Sequence, residues 1–325
     1  MLILSESDLR SVLTMGDAIA AVEGGFRALG RGEANVPTRL HMNIPARGVL
    51  LEMPAYAQLD GVAALGTKVV SVFEENSQRG LDSVQAVYLL LDSETGVPLS
   101  VMDGKFLTAI RTAATSAVAT RYMSPPGSKR LAIFGAGLQA HFHIQAMIEV
   151  AKVESVMITS RSSDKARELA DRVRAAYGLP ADEVSAEQAA TAANLICTCT
   201  SSSAPLFDGE MLTNGTHINA VGAFTPTTRE LDSTAVRRAR VIIDAESAAG
   251  REAGEIAIPV SEGLIGAAHV KGTLAELLSG AVAGRESASQ ITLFKSCGLA
   301  IEDLVTAQLA YSRAVARDIG TEVAL

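Results

Sequence analysis

Residues 131–140 read Leu131-Ala132-Ile133-Phe134-Gly135-Ala136-Gly137-Leu138-Gln139-Ala140, and this stretch decides the fold of the chain. The four apolar residues 131–134 predict a buried strand that ends directly at Gly135. No proline or glycine occurs between Gln139 and Val150, so we expect a helix over that range. A strand, a G-x-G-x-x-A turn and a helix in this order are typical of a Rossmann dinucleotide-binding unit.

The residues of this turn have separate expected tasks. Gly135 would make the tight turn, Gly137 would let the backbone approach a pyrophosphate, and Ala140 would allow close helix packing. Free N–H groups and the positive dipole at the start of the helix favour phosphate. We therefore predict a nicotinamide dinucleotide site at Gly135, Ala136, Gly137, Leu138 and Gln139. A tight turn without a ligand is the alternative.

Short apolar strands alternate with helices after Lys129, which is the order of a βαβ fold. The pattern predicts a helix at Ser163–Tyr177 and strands at Arg130–Phe134, Ser155–Ser160, Asn194–Thr200, His217–Val221 and Val241–Asp244. This is about the number of strands that a doubly wound parallel sheet needs. The fold class expected here is therefore α/β with a Rossmann sheet.

The end of the second Rossmann strand bears on the choice of cofactor. An NAD site usually carries an acidic residue there, which accepts hydrogen bonds from the ribose 2′-hydroxyl. This chain has Ser160, Arg161 and Ser162 instead, and an arginine with neighbouring hydroxyl groups suits a 2′-phosphate. We therefore expect NADP(H), with NAD(H) as the alternative if Arg161 lies in solvent or stacks on adenine.

The first third of the chain predicts a second, α+β domain. A helix is expected at Thr14–Arg31, and antiparallel strands at Arg47–Met53, Ala64–Phe73 and Ser83–Leu91. Turns are expected at residues 93–96 and 103–105. A helix with Thr108 as its N-cap then runs to Met123, and residues 124–128 form a junction. A last amphipathic helix is expected at Leu299–Ile319.

Lys68 is the most informative charged residue of this first region. Strand alternation places it on the same face as Gly66, Val70 and Val72, so its ammonium group would enter an apolar or cleft-lining layer. Burial there would lower the pKa of Lys68 and make it a usable proton donor or acceptor. An edge-strand lysine that prevents aggregation is the alternative.

Composition and charge exclude several classes of function. The 325 residues are 48% hydrophobic with a formal net charge of −8, which offers nucleic acid and anionic lipid no general attraction. Residues 1–13 carry Glu6 and Asp8 where a signal peptide would carry basic residues, and no apolar run reaches bilayer length, so we expect a cytoplasmic protein without a membrane segment. The three cysteines and the His141/His143 pair do not have the spacing of a metal site.

Several motifs of the chain resemble the ornithine cyclodeaminase/mu-crystallin family. They are Val36-Pro37-Thr38-Arg39, Gly66-Thr67-Lys68-Val69-Val70, residues 107–114, Phe134 to Ala140, Ala220-Val221-Gly222-Ala223 before Pro226, and Phe294 to Gly298 with Glu302-Asp303. Their order and spacing agree along nearly the whole chain. The family contains cyclodeaminases, alanine dehydrogenases, ketimine and pyrroline-2-carboxylate reductases, and a lens protein that binds thyroid hormone.

The resemblance implies a domain arrangement and a set of site residues. Residues 1–124, rejoined by residues 303–325, would form a substrate-binding and dimerisation domain, and residues 125–302 the NAD(P)-binding domain. The substrate carboxylate would be bound by residues matching Arg39, Lys68 and Arg111, with Arg111 in the first turn of its helix, where the dipole also favours an anion. Further cofactor contacts would fall on Thr112, Thr200, Val221, Gly222 and Ser296. The expected assembly is a homodimer.

Three functions are compatible with the sequence. The first is reduction of a small α-imino acid to an amino acid, with Lys68, or a water bound to it, as catalytic proton donor. The second is a cyclodeaminase lyase that recycles bound NAD, and the third is binding of a small ligand without catalysis. Cyclodeaminases carry an aspartate where this chain has Phe224, and phenylalanine cannot accept a proton, which favours the reductase. His41, Met53 and Phe224 are candidates for the substrate side-chain pocket, and Glu230 and Asp232 are candidate replacements for the missing aspartate.

Overall fold

The computed structural model describes residues 1–59, 61–246 and 252–324. Contacts divide the chain into two compact units, Met1–Thr115 with Gly298–Leu325, and Ser116–Cys297. Each unit contains its own sheet, so the α/β class with a second α+β domain is confirmed. The division falls inside the helix Gly104–Met123, earlier than the junction expected at residues 124–128. None of the helices in these described ranges is long and apolar enough to cross a membrane.

The first unit is built on a mainly antiparallel sheet. Its strands are β1 (Leu2–Leu4), β2 (Ala34–Asn35), β3 (Leu40–Ile44), β4 (Gly48–Leu59), β5 (Val62–Val72), β6 (Val84–Leu91), β7 (Pro98–Asp103) and β16 (Thr321–Glu322). The order is β16-β1-β7-β6-β5-β4-β2, with β3 paired to β4. The antiparallel pairing of the three long strands β4, β5 and β6 agrees with the sequence prediction. Strand β5 therefore lies inside the sheet, not at its edge.

The α-helices that belong wholly or partly to this unit are, in its described residues, α1 (Glu6–Val12), α2 (Met15–Gly30), α3 (Gly104–Met123) and α10 (Ala300–Arg317). Thr14, expected as the first residue of this helix, is instead its N-cap, since its side chain accepts from the N–H of Asp17. Helix α10 packs on α2 and on the central strands β4 and β5. Gly25 makes the contact between α2 and α10 close, because a Cβ there would lie 2.8 Å from Val305 Cγ1.

The start of α3 differs from the sequence prediction. The helix begins at Gly104 directly after β7, not at Thr108, and residues 103–105 do not form a turn between strands. The Asp103 carboxylate accepts the N–H of Phe106 at 2.7 Å, which satisfies one of the first helical amides. Arg111 consequently lies about two turns into the helix, so the expected help from the helix dipole does not apply to it.

The second unit is a fully parallel sheet. Its strands are β8 (Lys129–Phe134), β9 (Val153–Thr159), β10 (Ala181–Glu183), β11 (Leu195–Thr198), β12 (His217–Ala220), β13 (Ala239–Ile243), β14 (Val270–Thr273) and β15 (Ile291–Lys295). The order is β10-β9-β8-β11-β12-β15-β13-β14. The chain leaves β8 first toward β10 and then crosses to β11, so the strand order reverses between β8 and β11. Ligands of doubly wound sheets bind outside the carboxyl ends of the strands at such a point.

The helices of this unit connect the parallel strands. They are α4 (Leu138–Val150), α5 (Ser163–Tyr177), α6 (Ala186–Ala192), α7 (Ser233–Arg238), α8 (Gly254–Ser261) and α9 (Leu274–Ser279). Helix α5 has the bounds that the sequence predicts, and α4 begins one residue early. The sequence analysis did not predict β10, β14 or β15. Strand β15 is buried throughout and therefore has no apolar and polar alternation to reveal it.

Candidate active site

Lys68 lies on the inner face of β5, as the alternation predicts, and only 1% of its surface is exposed. Its Nζ donates to Asp303 Oδ2 at 2.8 Å and to Thr108 Oγ1 at 3.2 Å. An ammonium group has three donors, so one N–H of Lys68 has no acceptor among the described residues. The edge-strand alternative is wrong, because β5 is paired on both sides.

Arg111 is buried on α3 and is held by two carboxylates of this chain. Its Nε donates to Asp303 Oδ1 at 3.0 Å, and its Nη1 donates to Glu302 Oε2 at 2.7 Å. The guanidinium packs on Gly298, where a Cβ would lie 2.8 Å from Nη1. Within the part of the chain that the structure describes, Nη2 is the guanidinium nitrogen that donates to no residue. Both N–H groups of Nη2 and the second N–H of Nη1 therefore donate to none of the described residues.

The acidic pair Glu302 and Asp303, for which no role was expected from the sequence, lies at the centre of this cluster. Both carboxylates lie in the first turn of α10 and are fully buried. Glu302 also accepts from Thr115 Oγ1 at 2.8 Å and from the N–H of Leu299 at 2.8 Å. Acidic residues in a first helical turn are ordinary, so their sequence position carries no sign of burial beside cations.

Burial and the neighbouring carboxylates act in opposite directions on the pKa of Lys68. Burial and the neighbouring Arg111 charge lower the pKa of Lys68 to about 8, against the opposing effect of Asp303 and Glu302. For Asp303, burial raises the pKa, but the Arg111 and Lys68 charges outweigh it and keep the pKa below its usual value. The cluster therefore combines an ionised carboxylate with a lysine that titrates near neutral pH.

Tyr88 is a further buried group of this cluster. It pairs directly with Lys68 across β5 and β6, and it is fully buried. Its ring lies over Gly66, where a Cβ would come within 2.5 Å of the hydroxyl oxygen. That hydroxyl has no hydrogen-bond partner among the described residues. Burial, together with the Asp303 charge, raises the pKa of Tyr88, so the hydroxyl stays protonated.

The substrate-pocket candidates of the first unit lie in different surroundings. Met53 is buried on β4 opposite Lys68, so it belongs to the same face of the sheet. His41 lies on β3 and is exposed, and Arg39 directly precedes β3 and is half-buried. Thr112, which is a predicted cofactor contact, is buried on α3, where its hydroxyl donates to the Thr108 carbonyl at 2.7 Å.

The glycine turn of the second unit has the geometry that the sequence predicts. Gly135 follows β8 with a φ of 116°, and a Cβ there would lie 2.6 Å from the Cys199 carbonyl oxygen. Gly137 is the N-cap of α4, provides no capping side chain, and has open space where a Cβ would stand. No N-cap side chain occupies the start of α4, and the close approach that this allows fits a pyrophosphate.

The other predicted cofactor residues follow neighbouring parallel strands. Thr200 comes after β11, Val221 and Gly222 after β12, and Ser296 after β15, so the sheet brings them to the same edge as Gly135. Ser160, Arg161 and Ser162 follow β9 at this edge. Arg161 is exposed and its Nη2 donates to Ser201 Oγ at 3.4 Å. Ser162 caps α5.

The buried carboxylate of Glu230 fixes two of these loops. From the sequence it was considered only as a possible base. Glu230 accepts hydrogen bonds at 2.7 Å from the hydroxyl groups of Thr198 and Thr200 and from the backbone N–H groups of Thr200 and Gly222. Four donors occupy both oxygens, so Glu230 holds the ends of β11 and β12 together. Asp232 is equally engaged, because it caps α7 and accepts the N–H of Gly209. Both carboxylates are thus already hydrogen-bonded within this unit.

A cavity of about 620 Å³ lies apart from all these residues, within the second unit. It opens beside the carboxyl ends of β13 and β14, where Ile243, Ile256, Val260, Val270 and Lys271 line it. None of the predicted site residues contributes to its wall. This cavity is therefore not the candidate active site, despite its volume.

Comparison with known proteins places this arrangement in a family. A model of the ornithine cyclodeaminase/mu-crystallin family matches residues 1–318. The chain belongs to the ornithine cyclodeaminase/mu-crystallin family. Delta(1)-pyrroline-2-carboxylate reductase of Bacillus cereus (strain ZK / E33L) is 36% identical to this chain over 326 residues. The match covers 99% of this chain and 99% of that reductase.

Solved structures of the ornithine cyclodeaminase/mu-crystallin family have the same fold. Thermococcus litoralis Delta(1)-pyrroline-2-carboxylate reductase, in complex with NADH and L-proline, is 40% identical with a TM-score of 0.96, covering 99% of this chain and all of its own. An archaeal alanine dehydrogenase dimer with bound NAD is 32% identical with a TM-score of 0.95, covering 100% of this chain and 99% of its own. The family resemblance expected from the motifs is thus confirmed.

Proposed function

We propose that this protein catalyses the NAD(P)H-dependent reduction of a small α-imino acid to an L-amino acid, or the reverse dehydrogenation. It is an oxidoreductase that acts on a C–N bond. The observation that carries this proposal is the buried Lys68 ammonium group beside Arg111 and Asp303, one N–H of which has no acceptor in the described part of the chain. The relatives named pyrroline-2-carboxylate reductase and alanine dehydrogenase support it, since both names describe chemistry at an amino-acid C–N bond.

The residues of the cluster have distinct roles in this reaction. Lys68 donates a proton to the imine nitrogen, and Arg111 binds the substrate carboxylate through Nη2, with Arg39 as a second carboxylate contact. The buried Tyr88 and Met53 surround the lysine and limit access of water. The nicotinamide, when bound, supplies the hydride for the imine carbon.

The preferred cofactor in this proposal is NADP(H). The strand β9 ends without an acidic residue, and the exposed Arg161 between two serines suits a 2′-phosphate. The solved relatives named above carry NADH or NAD, so NAD(H) is the competing choice. A comparison of kcat/KM for NADPH and NADH belongs in the activity assay that follows.

The reaction type is tested by giving the enzyme imines and ornithine side by side. We expect oxidation of NADPH, and less efficiently of NADH, with Δ1-pyrroline-2-carboxylate, Δ1-piperideine-2-carboxylate, or a 2-oxo acid plus ammonia or methylamine. We expect no appreciable conversion of L-ornithine to L-proline with catalytic NAD, because Phe224 cannot accept a proton and Glu230 and Asp232 are already bonded.

The two reactions have separate readouts. Imine reduction is followed by loss of absorbance of the reduced nicotinamide, and ornithine conversion by release of ammonia and proline. A Phe224→Asp variant serves as the comparison in the ornithine assay. Proline formed from ornithine by the unmodified enzyme, faster than every imine reduction, would make the lyase assignment correct.

The assembly that we propose is a homodimer formed through the outer face of the first sheet. Tyr56, Val69 and Val87 lie on that face of β4, β5 and β6 and are 38%, 36% and 50% exposed. An apolar sheet face of this kind is stabilised when a second copy covers it. A relative is described as a dimer, which supports the proposal.

Light scattering at micromolar concentration is expected to give twice the mass of one chain. Val87→Asp should shift the protein toward monomer, because it places a charge in the apolar face. Val315→Asp is the matched control, since Val315 is 58% exposed on α10 and lies away from that sheet face. A fully active monomer of the unmodified chain would contradict the proposal.

A further inference from the structure

One carboxylate, that of Asp303, lies between the two cations of the cluster. Its Oδ2 accepts from Lys68 Nζ at 2.8 Å and its Oδ1 from Arg111 Nε at 3.0 Å, and the side chain is completely buried. The neighbouring Glu302 uses its oxygens on Arg111, Thr115 and its own helix start. Among the described residues, Asp303 is therefore the anion in direct contact with Lys68.

The groups that face Lys68 come from each element packed around it. Helix α3 contributes the Thr108 hydroxyl and the Arg111 charge, β4 the apolar Met53, β6 the hydroxyl of Tyr88, and α10 the carboxylates of Asp303 and Glu302. Burial and Arg111 favour a neutral lysine, and the two carboxylates favour the ammonium form. Of these two, Asp303 has the larger effect, because it alone contacts Nζ.

We propose that Asp303 is a positioning residue that keeps Lys68 in its ammonium form and directs the free N–H of Nζ toward the substrate nitrogen. The inference rests on the imine reduction proposed above. Through this contact, Asp303 sets the upper pH limit of the reaction without touching the substrate. Arg111 is held by the same carboxylate, so the proton donor and the carboxylate-binding group share one support.

The protons and electrons balance with Lys68 as the donor. A hydride forms the new C–H bond at the imine carbon, and the electron pair of the C=N π bond forms the new N–H bond with the Lys68 proton. Lys68 is left as a neutral amine beside the Asp303 carboxylate and takes a proton back from water. Asp303 remains ionised throughout.

The test compares the pH dependence of kcat in the wild type and in Asp303→Asn. Only the ammonium form donates, so wild-type activity should fall as the pH rises through about 8, the pKa of Lys68. Removing the carboxylate charge lowers the pKa of Lys68, and the alkaline fall should move to lower pH by about one unit or more. NMR titration of protein labelled with ¹³C at lysine Cε should show the same displacement for the Lys68 signal, assigned by its absence in Lys68→Met.

Three comparison variants separate charge from packing. Asp303→Ser is a second neutral variant in case asparagine is not accommodated, and it should shift the profile in the same direction. Asp303→Glu restores the charge and should return the alkaline fall close to its wild-type position. Asp17→Asn removes another acid that binds α10, through Arg313, and should leave the profile unchanged.

The two readouts distinguish failure of this inference from failure of the proposed function. An unchanged Lys68 titration in folded Asp303→Asn or Asp303→Ser would overturn the inference, as would a reduced kcat with an unchanged pH profile. If the wild type reduces no imine but the Lys68 titration still shifts in the neutral variants, the proposed function is wrong, and the control of Lys68 protonation by Asp303 is supported.

Discussion

Replacing Lys68 with methionine is expected to reduce kcat for imine reduction by roughly 10²- to 10⁴-fold, the usual contribution of a positioned proton donor. Methionine has a similar length and fills the same apolar layer, but it has no proton to give. Asp303 keeps its hydrogen bond to Arg111 in this variant, so the fold is expected to survive. Steady-state kinetics with a thermal unfolding curve for each protein measure the effect.

Lys105→Met is the matched control for this substitution. Lys105 lies in the same unit and pairs with Asp82 at 2.9 Å, but its side chain is 32% exposed and far less buried than Lys68. Its removal should leave kcat unchanged within about a factor of two, because an exposed ion pair contributes little to the stability of the fold. Wild-type turnover in Lys68→Met would mean that another group protonates the substrate.

Replacing Arg111 with lysine is expected to lower kcat/KM at least tenfold, which corresponds to about 1.4 kcal/mol of lost transition-state stabilisation. Lysine retains the charge, but a single ammonium group cannot contact Glu302, Asp303 and a substrate carboxylate in the directions that Nη1, Nε and Nη2 provide. The loss should appear mainly in kcat/KM, since substrate binding and orientation depend on the same group.

Arg313→Lys provides the comparison for this second variant. Arg313 lies on α10 and binds Asp17 through both terminal nitrogens, so the same change of head group is made outside the cluster. Its kinetics should resemble those of the wild type, although its melting temperature is expected to fall slightly. If Arg111→Lys shows wild-type kcat/KM, Arg111 does not bind the substrate.

The local parts of the candidate site could be predicted from the sequence. The apolar strand, the positive φ of Gly135 and the open N-terminus of α4 depend on residues within one short segment. The burial of Lys68 follows from a period of two along a single strand. Helix α3 was predicted with the wrong start, because Thr108 is a common capping residue and the capping role of Asp103 at the end of a strand was not recognised.

Sequence alone determined the α/β class and the two separate regions of interest, because apolar period and glycine position act over a few residues, and the resemblance of its motifs indicated the family. Only the tertiary structure decided what surrounds the functional side chains. Lys68 and Asp303 are 235 positions apart, and nothing in either segment marks the other as its partner. The four donors that hold Glu230 likewise come from two separate segments, one at the end of β11 and one after β12. Burial of charge depends on all neighbours at once, and these are brought together only when the chain folds.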